Sequence, residues 1–294
     1  MSNQIRKAVI PAAGFGTRMY PATKALKKEL FPIIDRDGRA KPIILAIVEE
    51  AINAGIEEVG IVVQESDRDL FYDLLKSSPK PELKQKLSAE NLEYTEYLQS
   101  IGDRITILTQ TKQEGFGHAV FCAKNWVDHE PFLLLLGDHI YTSPTNVSCA
   151  KQMVDIYHQA STSVIGITVM KGDIIHKAGC VGGKWQTDNS ILKISEIYEK
   201  PTLEYAKENL AVAGMAEDEF LGIFGMYILE STIFDLLEGE INNNQRSQGE
   251  FQLTTCLEKL RLQSQAIAYL VQGQYYDTGM PLFYRQTIID YYNN

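Results

Sequence analysis

The chain has 294 residues, 45% of them hydrophobic, which is enough to build a real core, and it carries a formal net charge of −10. So acidic a chain lacks the basic surface that nucleic-acid backbones require, and its longest apolar run, at 132–136, is far too short to cross a bilayer. Neither nucleic acid nor membrane is therefore expected as a partner. Charge is uneven, however: between Met1 and Lys41 nine lysines and arginines stand against three acids, a surplus that suits either a small polyanion or a solvated face. Cys122, Cys149, Cys180 and Cys256 form no CxxC pair and read as free thiols of a reducing compartment. No apolar signal segment precedes Ala8, so the expected location is the cytoplasm.

In chain order, Lys7 to Ala13 is a short apolar run stopped by Gly14, the pattern of a buried strand. Ile43, Ile44, Ile47, Val48, Ala51 and Ile52 fall at helical spacing, with Pro42 suited to the first turn and Gly55 to the position after the last. Residues 58–63 predict a second buried strand, and 66–100 a polar, irregular helical stretch broken at Pro79 and Pro81. A strand at 105–108, a helix at 119–126 and a strand at 131–136 follow. Strands apolar on both faces, alternating with helices, predict an α/β fold, Rossmann-like, with a mostly parallel central sheet flanked by helices. Ligands of such sheets bind beyond the carboxyl ends of the strands, so 12–18, 109–118 and 137–141 should meet. Further strands are expected at 163–170, 191–197, 222–229 and 266–271, and helices at 231–237 and 251–262. No linker divides the halves. The expectation is one continuous domain over 1–294, its two halves meeting at about 140, with a helical tail.

The chemistry starts at Ala13-Gly14-Phe15-Gly16-Thr17-Arg18, directly after the first strand. Glycines there let a phosphate approach backbone N–H groups, and Arg18 can grip phosphate bidentately. The same residues equally make a plain tight turn. The Lys-Ser/Thr ending of a Walker loop is missing, and so is the third glycine of a dinucleotide fingerprint, which argues against a Rossmann dehydrogenase. Lys28 stands ten residues on, in Lys24-Ala-Leu-Lys-Lys-Glu-Leu-Phe-Pro32.

Together, the stretch from Pro11 to Pro32 resembles the signature of the sugar-1-phosphate nucleotidylyltransferases, and the resemblance runs along the whole chain. It implies a GT-A-type fold and transfer of a nucleotidyl group from a nucleoside triphosphate to a sugar 1-phosphate, with release of pyrophosphate. The uridylyl branch is the nearest, which implies UTP and glucose 1-phosphate as partners. Ala13, Gly14, Gly16 and Thr17 match the nucleotide-binding turn. Gln110 and Gly115 match the pair that reads a pyrimidine edge, as an amide and a backbone group are able to do. Asp138 in Leu136-Gly137-Asp138 and Asp277 in Tyr276-Asp277-Thr278-Gly279 match ligands of Mg²⁺, a cation held by one or two carboxylates plus phosphates. Gly179, Glu199 and Lys200 match the binding site of the sugar phosphate. Arg18, Lys28 and Lys200 are the implied catalytic cations: Arg18 and Lys28 on the leaving phosphates, Lys200 on the attacking one. The nucleophile is already an anion, so no general base is needed, and His118 and His139 are assigned supporting roles. Relatives commonly form homo-oligomers, which leaves the assembly state open.

Some positions depart from the uridylyl pattern. Residues 36–40 are extra, Phe220 replaces an asparagine near the sugar, and Gly137-Asp138-His139-Ile140-Tyr141 with Asp277-Thr278-Gly279 look more like the thymidylyl branch. Thymidylyl transfer is therefore an alternative, as is a module that binds a nucleotide sugar without catalysis. The retention of Arg18, Lys28, Asp138, Glu199, Lys200 and Asp277 argues against the latter.

Overall fold

The computed structural model describes residues 4–186, 189–264 and 266–291. Strand β1 (Lys7–Pro11) is buried at every position, as its apolar run requires, and pairs in parallel with two neighbours. The chain then makes three short 3-10 turns (Thr17–Met19, Ala22–Lys24, Lys28–Leu30) and a small ribbon, β2 (Pro32–Ile34) with β3 (Ala40–Pro42). Helix α1 (Ile43–Asn53) follows, with Ile43, Ile44, Ile47, Val48 and Ala51 fully buried on the expected face. Next come β4 (Glu58–Gln64), α2 (Arg68–Leu75), α3 (Pro81–Lys84), α4 (Ala89–Asp103) and β5 (Ile105–Gln110). The helix expected at 119–126 is two short ones, α5 (Phe116–Phe121) and α6 (Lys124–Val127), and they lead into β6 (Phe132–Leu135).

The second part contains β7 (His139–Thr142), α7 (Cys149–Ala160), β8 (Val164–Lys171), β9 (Gly179–Trp185), β10 (Ile191–Glu199), α8 (Leu203–Asn209) and β11 (Glu219–Leu229). It ends with α9 (Thr232–Asn242), α10 (Leu253–Ser264), β12 (Ile267–Leu270), β13 (Gln274–Asp277) and α11 (Pro281–Asp290). Elements β7, α7, β9, α8 and β13 are not among those expected from the sequence: β7 and β13 are only four residues long and β9 is glycine-rich, whereas α7 is a regular amphipathic helix of 12 residues.

Both parts supply strands to one nine-stranded sheet, in the order β5-β4-β1-β6-β11-β8-β12-β10-β9. The expectation of a mostly parallel sheet is corrected here. Strands β5, β4, β1 and β6 are parallel, but β11 runs antiparallel to both β6 and β8, and β10 runs antiparallel to β12 and β9. The sheet is mixed because helical crossovers link the strands of the first part, whereas β9 and β10 are joined by a connection too short for one. Apolar burial alone does not report strand direction: β11 is as apolar as a parallel strand, because the sheet is covered on both faces there. Within β11 the register slips between Ile223 and Tyr227, and Gly225 at the slip has φ +84°. This bulge borders the functional cleft.

Candidate active site

Strands β1, β4, β5 and β6 are parallel, so their carboxyl ends open on one edge, and the loops leaving them are drawn together there. Gln64, the last residue of β4, donates from Nε2 to the Ala13 carbonyl at 2.8 Å and stands in register with Gln110, the last residue of β5. Gly137 lies so close to the Pro11 carbonyl that a Cβ on it would come within 2.3 Å. Of the three stretches expected to meet, the first and third touch at Ala12 and Gly137, and the second is joined to the first through Gln64.

After Ala13 the chain turns at Gly16, with φ +65°, and a Cβ there would press to 2.8 Å against Thr23 Cγ2. Thr23 Oγ1 donates to the Gly16 carbonyl at 3.0 Å and holds the turn. Gly14, Thr17 and Arg18 remain exposed, which leaves this loop accessible to a ligand.

Lys28 Nζ lies 2.5 Å from Asp138 Oδ2 and 3.7 Å from Glu29 Oε1. Burial works against the Lys28 charge, yet Asp138 and Glu29 together hold the ammonium above its ordinary pKa. Burial likewise opposes ionisation of Asp138, but the Lys28 charge outweighs it and holds the carboxyl well below the usual range. Glu29 differs: burial dominates and raises it to about 7, with Lys28 opposing. Its Oε2 is buried without a hydrogen-bond partner among the described residues.

Asp138 and Asp277 are brought together by the ribbon of β7 and β13, which pairs His139 with Asp277. Thr278 clamps the join, donating to the Asp138 carbonyl from its backbone N at 2.8 Å and from Oγ1 at 2.7 Å. A Cβ added to Gly279 would lie 2.5 Å from Asp138 Oδ2, 3.0 Å from Asp277 Oδ1 and 3.1 Å from Arg18 Nη2. Three charged groups thus surround a hollow that only glycine leaves open. No cluster of three or more histidine, cysteine or acidic side chains gathers among the described residues. Two carboxylates without a third protein ligand fit Mg²⁺, which keeps water and phosphate for its remaining positions.

A cleft of about 780 Å³ runs from Arg18, Asp138 and Asp277 to Gly179, Glu199 and Lys200. Gly179 lies opposite Glu199 in the β9–β10 pairing, and a Cβ there would meet Ile223 Cδ1 at 2.8 Å and Glu199 Oε2 at 3.2 Å. Glu199 Oε2 accepts from Thr254 Oγ1 at 2.6 Å, while Oε1 lies 3.3 Å from Lys200 Nζ. Lys200 takes φ +49°, an uncommon conformation for a residue with a side chain, and its backbone N donates to the Ala178 carbonyl at 3.2 Å.

Gly14, Gly16, Thr17, Lys28, Gln110 and Gly115 lie outside the wall of that cleft. They adjoin it through the Lys28–Asp138 contact and through Gly115, which has φ +115° and packs on Phe251 so closely that a Cβ would come 2.7 Å from its carbonyl O. The segment Gly249 to Thr254 is thereby more than a helix start. It bonds to Glu114 and Gly117 by backbone at 2.9 and 2.8 Å, and at Thr254 it holds Glu199.

His139, expected near the site in a supporting role, is joined there by contributors that no sequence motif reveals. His139 stacks on Tyr275 with centroids 4.7 Å apart, in space opened by Gly225, where a Cβ would meet His139 Nδ1 at 2.7 Å. Helix α11 lends Gln286 and Asp290 to the cleft wall, and Lys177 Nζ sits 5.0 Å from the Phe283 ring centroid. The basic surplus of the first 41 residues also looks different in three dimensions. Lys7 pairs with Glu130, Lys27 with Asp67, Arg39 with Glu90, and Lys41 with Asp35, Asp37 and Glu49. Among the described residues, Arg18 and Lys24 have no carboxylate within 4.0 Å.

The description "Nucleotidyl transferase" belongs to the family model that matches residues 7–292. The UTP–glucose-1-phosphate uridylyltransferase of Staphylococcus epidermidis is 37% identical over 290 residues, 98% of this chain and 92% of that protein. Its namesake in Staphylococcus haemolyticus is 36% identical over the same shares. Among solved structures, an apo UDP-glucose pyrophosphorylase superposes with a TM-score of 0.84 at 29% identity, covering 99% of both chains. A UTP-bound enzyme from Acinetobacter baumannii superposes at 0.77 with 27% identity, over 98% of this chain and 93% of the other.

Proposed function

Because the chain belongs to the nucleotidyl transferase family, we propose that its cleft joins UTP to glucose 1-phosphate, giving UDP-glucose and pyrophosphate. The reading is supported by the activity named for its relatives along nearly the whole chain, UTP–glucose-1-phosphate uridylyltransferase. The observation that carries the assignment of the site is the hollow at Gly279, where Asp138, Asp277 and Arg18 face one another beside Lys28.

In the reaction an oxygen of the sugar phosphate attacks the α-phosphorus of UTP. The bond from that phosphorus to the bridging oxygen breaks, and its electron pair leaves on pyrophosphate. The attacking group is an anion, so no side chain need remove a proton. Positioning and neutralisation of charge are what the protein supplies. Arg18 and Lys28 take the leaving phosphates, and Lys200 takes the attacking phosphate. Glu199, oriented by Thr254, accepts hydrogen bonds from sugar hydroxyls, and Gly179 lets the sugar lie against the backbone. Gln110 and Gly115 face the base. Asp138 and Asp277 would hold Mg²⁺, which when bound offsets the repulsion between the two phosphate groups.

The test is pyrophosphate release in Mg²⁺ with glucose 1-phosphate and UTP, dTTP, CTP, ATP or GTP in parallel. Release with UTP is expected. A preference for dTTP would transfer the protein to the thymidylyl branch, and silence with every triphosphate would overturn the assignment.

A further inference from the structure

We propose that His118 is a positioning residue that fixes which end of the Gln110 amide the base meets, and so makes the site choose a pyrimidine bearing N3–H over one with a bare N3. The proposal rests on the reading that Gln110 faces the base. Gln110 is 2% exposed at the end of β5. Its Nε2 lies 2.8 Å from His118 Nδ1 and 3.3 Å from the Gly115 carbonyl oxygen. A carbonyl only accepts, so the amide NH₂ is the end that faces this turn. His118 Nδ1 must then accept as well, which places the ring proton on Nε2.

The surroundings of the ring favour that tautomer. Nε2 lies 3.7 Å from Glu114 Oε2, and Glu114 is bonded through Oε1 to Arg246 Nη2 at 2.6 Å. That hydrogen bond holds the Glu114 carboxyl below its ordinary range, so the group beside Nε2 is an anion. Arg246 is itself seated 4.1 Å from the Phe251 ring centroid, on the segment that packs against Gly115. The relay Arg246–Glu114–His118–Gln110 spends both Nε2 bonds inside the turn. Oε1 makes no hydrogen bond to any described residue and is the atom left for a ligand. An amide oxygen accepts from the N3–H of uracil or thymine, whereas it opposes the lone pair on cytosine N3. The relay therefore separates UTP from CTP and does not separate UTP from dTTP.

The experiment measures kcat/KM for UTP and CTP in the unsubstituted enzyme, Gln110→Ala, His118→Phe, His118→Gln and the double variant Gln110→Ala/His118→Phe. His118→Phe should lower the UTP:CTP ratio about tenfold, the scale of one lost hydrogen-bond discrimination. His118→Gln, whose side-chain oxygen accepts from Gln110, should keep most of it, and the double variant should discriminate no worse than Gln110→Ala. A loss in Gln110→Ala with none in His118→Phe overturns the relay and leaves the base-reading site standing. No loss in either overturns the reading of Gln110 itself. The ring ¹⁵N shifts of the unsubstituted protein give a check that needs no variant to fold: the relay requires an unprotonated Nδ1 on His118, and a protonated Nδ1 refutes it.

Discussion

At the scale of single residues, the electrostatics of Lys28, Glu29 and Asp138 decide what each substitution does. Lys28→Ala or Asp138→Ala should lower kcat by about 10²–10³, the usual loss for one preorganised charge, with the far-UV spectrum unchanged. Normal turnover by Asp138→Ala at saturating Mg²⁺ would remove it from the metal site. Gly279→Ala is a sharper probe, because its Cβ would enter the hollow 2.5 Å from Asp138 Oδ2 without altering any charge. Turnover should collapse while Tm moves by only a few degrees; a fully active Gly279→Ala would mean that the hollow is not used. Glu29 makes a prediction about stability. Burial raises its folded pKa to about 7, above the ordinary 4.5, so between those values the folded chain holds a proton that the unfolded chain releases. Stability on this account is full below about pH 4.5 and falls as pH rises towards 7. Glu29→Gln should therefore raise Tm more at pH 8 than at pH 5, and equal shifts at both would show that Glu29 stays ionised.

At the scale of elements, the segment leading into α10 ties the two ends of the cleft together. Its backbone holds the turn at 114–117, and its Thr254 hydroxyl holds Glu199. Thr254→Val should raise the KM for glucose 1-phosphate several-fold with little change in that for UTP, since the carboxylate loses one charge-assisted hydrogen bond, worth about 1.5–3 kcal/mol, at the sugar end alone. Equal rises in both would place Thr254 in general folding. The sequence leads to a helix at 251–262, but the contacts made by the segment from Gly249 to Thr254 are not legible in it. Nothing in its residue types reveals that it would lie against Gly115, because that contact joins parts of the chain more than 130 residues apart.

At the scale of the whole molecule, the mixed sheet places β7 and β13 at one rim, and the aspartate pair forms only when that ribbon closes. Asp138 and Asp277 are held together by the β7–β13 pairing and by the Thr278 hydrogen bonds to the Asp138 carbonyl, so a cation between them is expected to serve turnover rather than folding. Chelation should abolish turnover reversibly and leave the Tm of the unliganded protein in place; a large fall in Tm would reveal a structural ion. The basic surplus of the first 41 residues is largely spent on internal pairs, Lys28 with Asp138 among them, whereas Arg18 and Lys24 have no carboxylate partner among the described residues, so the surplus is not a broad basic surface.

What the sequence determined by itself was local: the glycine turn after β1, the face of α1, the apolar strands, and the motifs bearing Arg18, Lys28, Asp138, Glu199, Lys200 and Asp277. Those features depend on residue type and short spacing, which a linear chain displays. Only the tertiary structure decided strand direction in the second part, the bulge at Gly225, the hollow at Gly279 and the relay from Arg246 to Gln110. Each arises where distant segments come within a few ångströms of one another, and there the available space and the hydrogen-bonding partner of a group, not its identity, determine its chemistry.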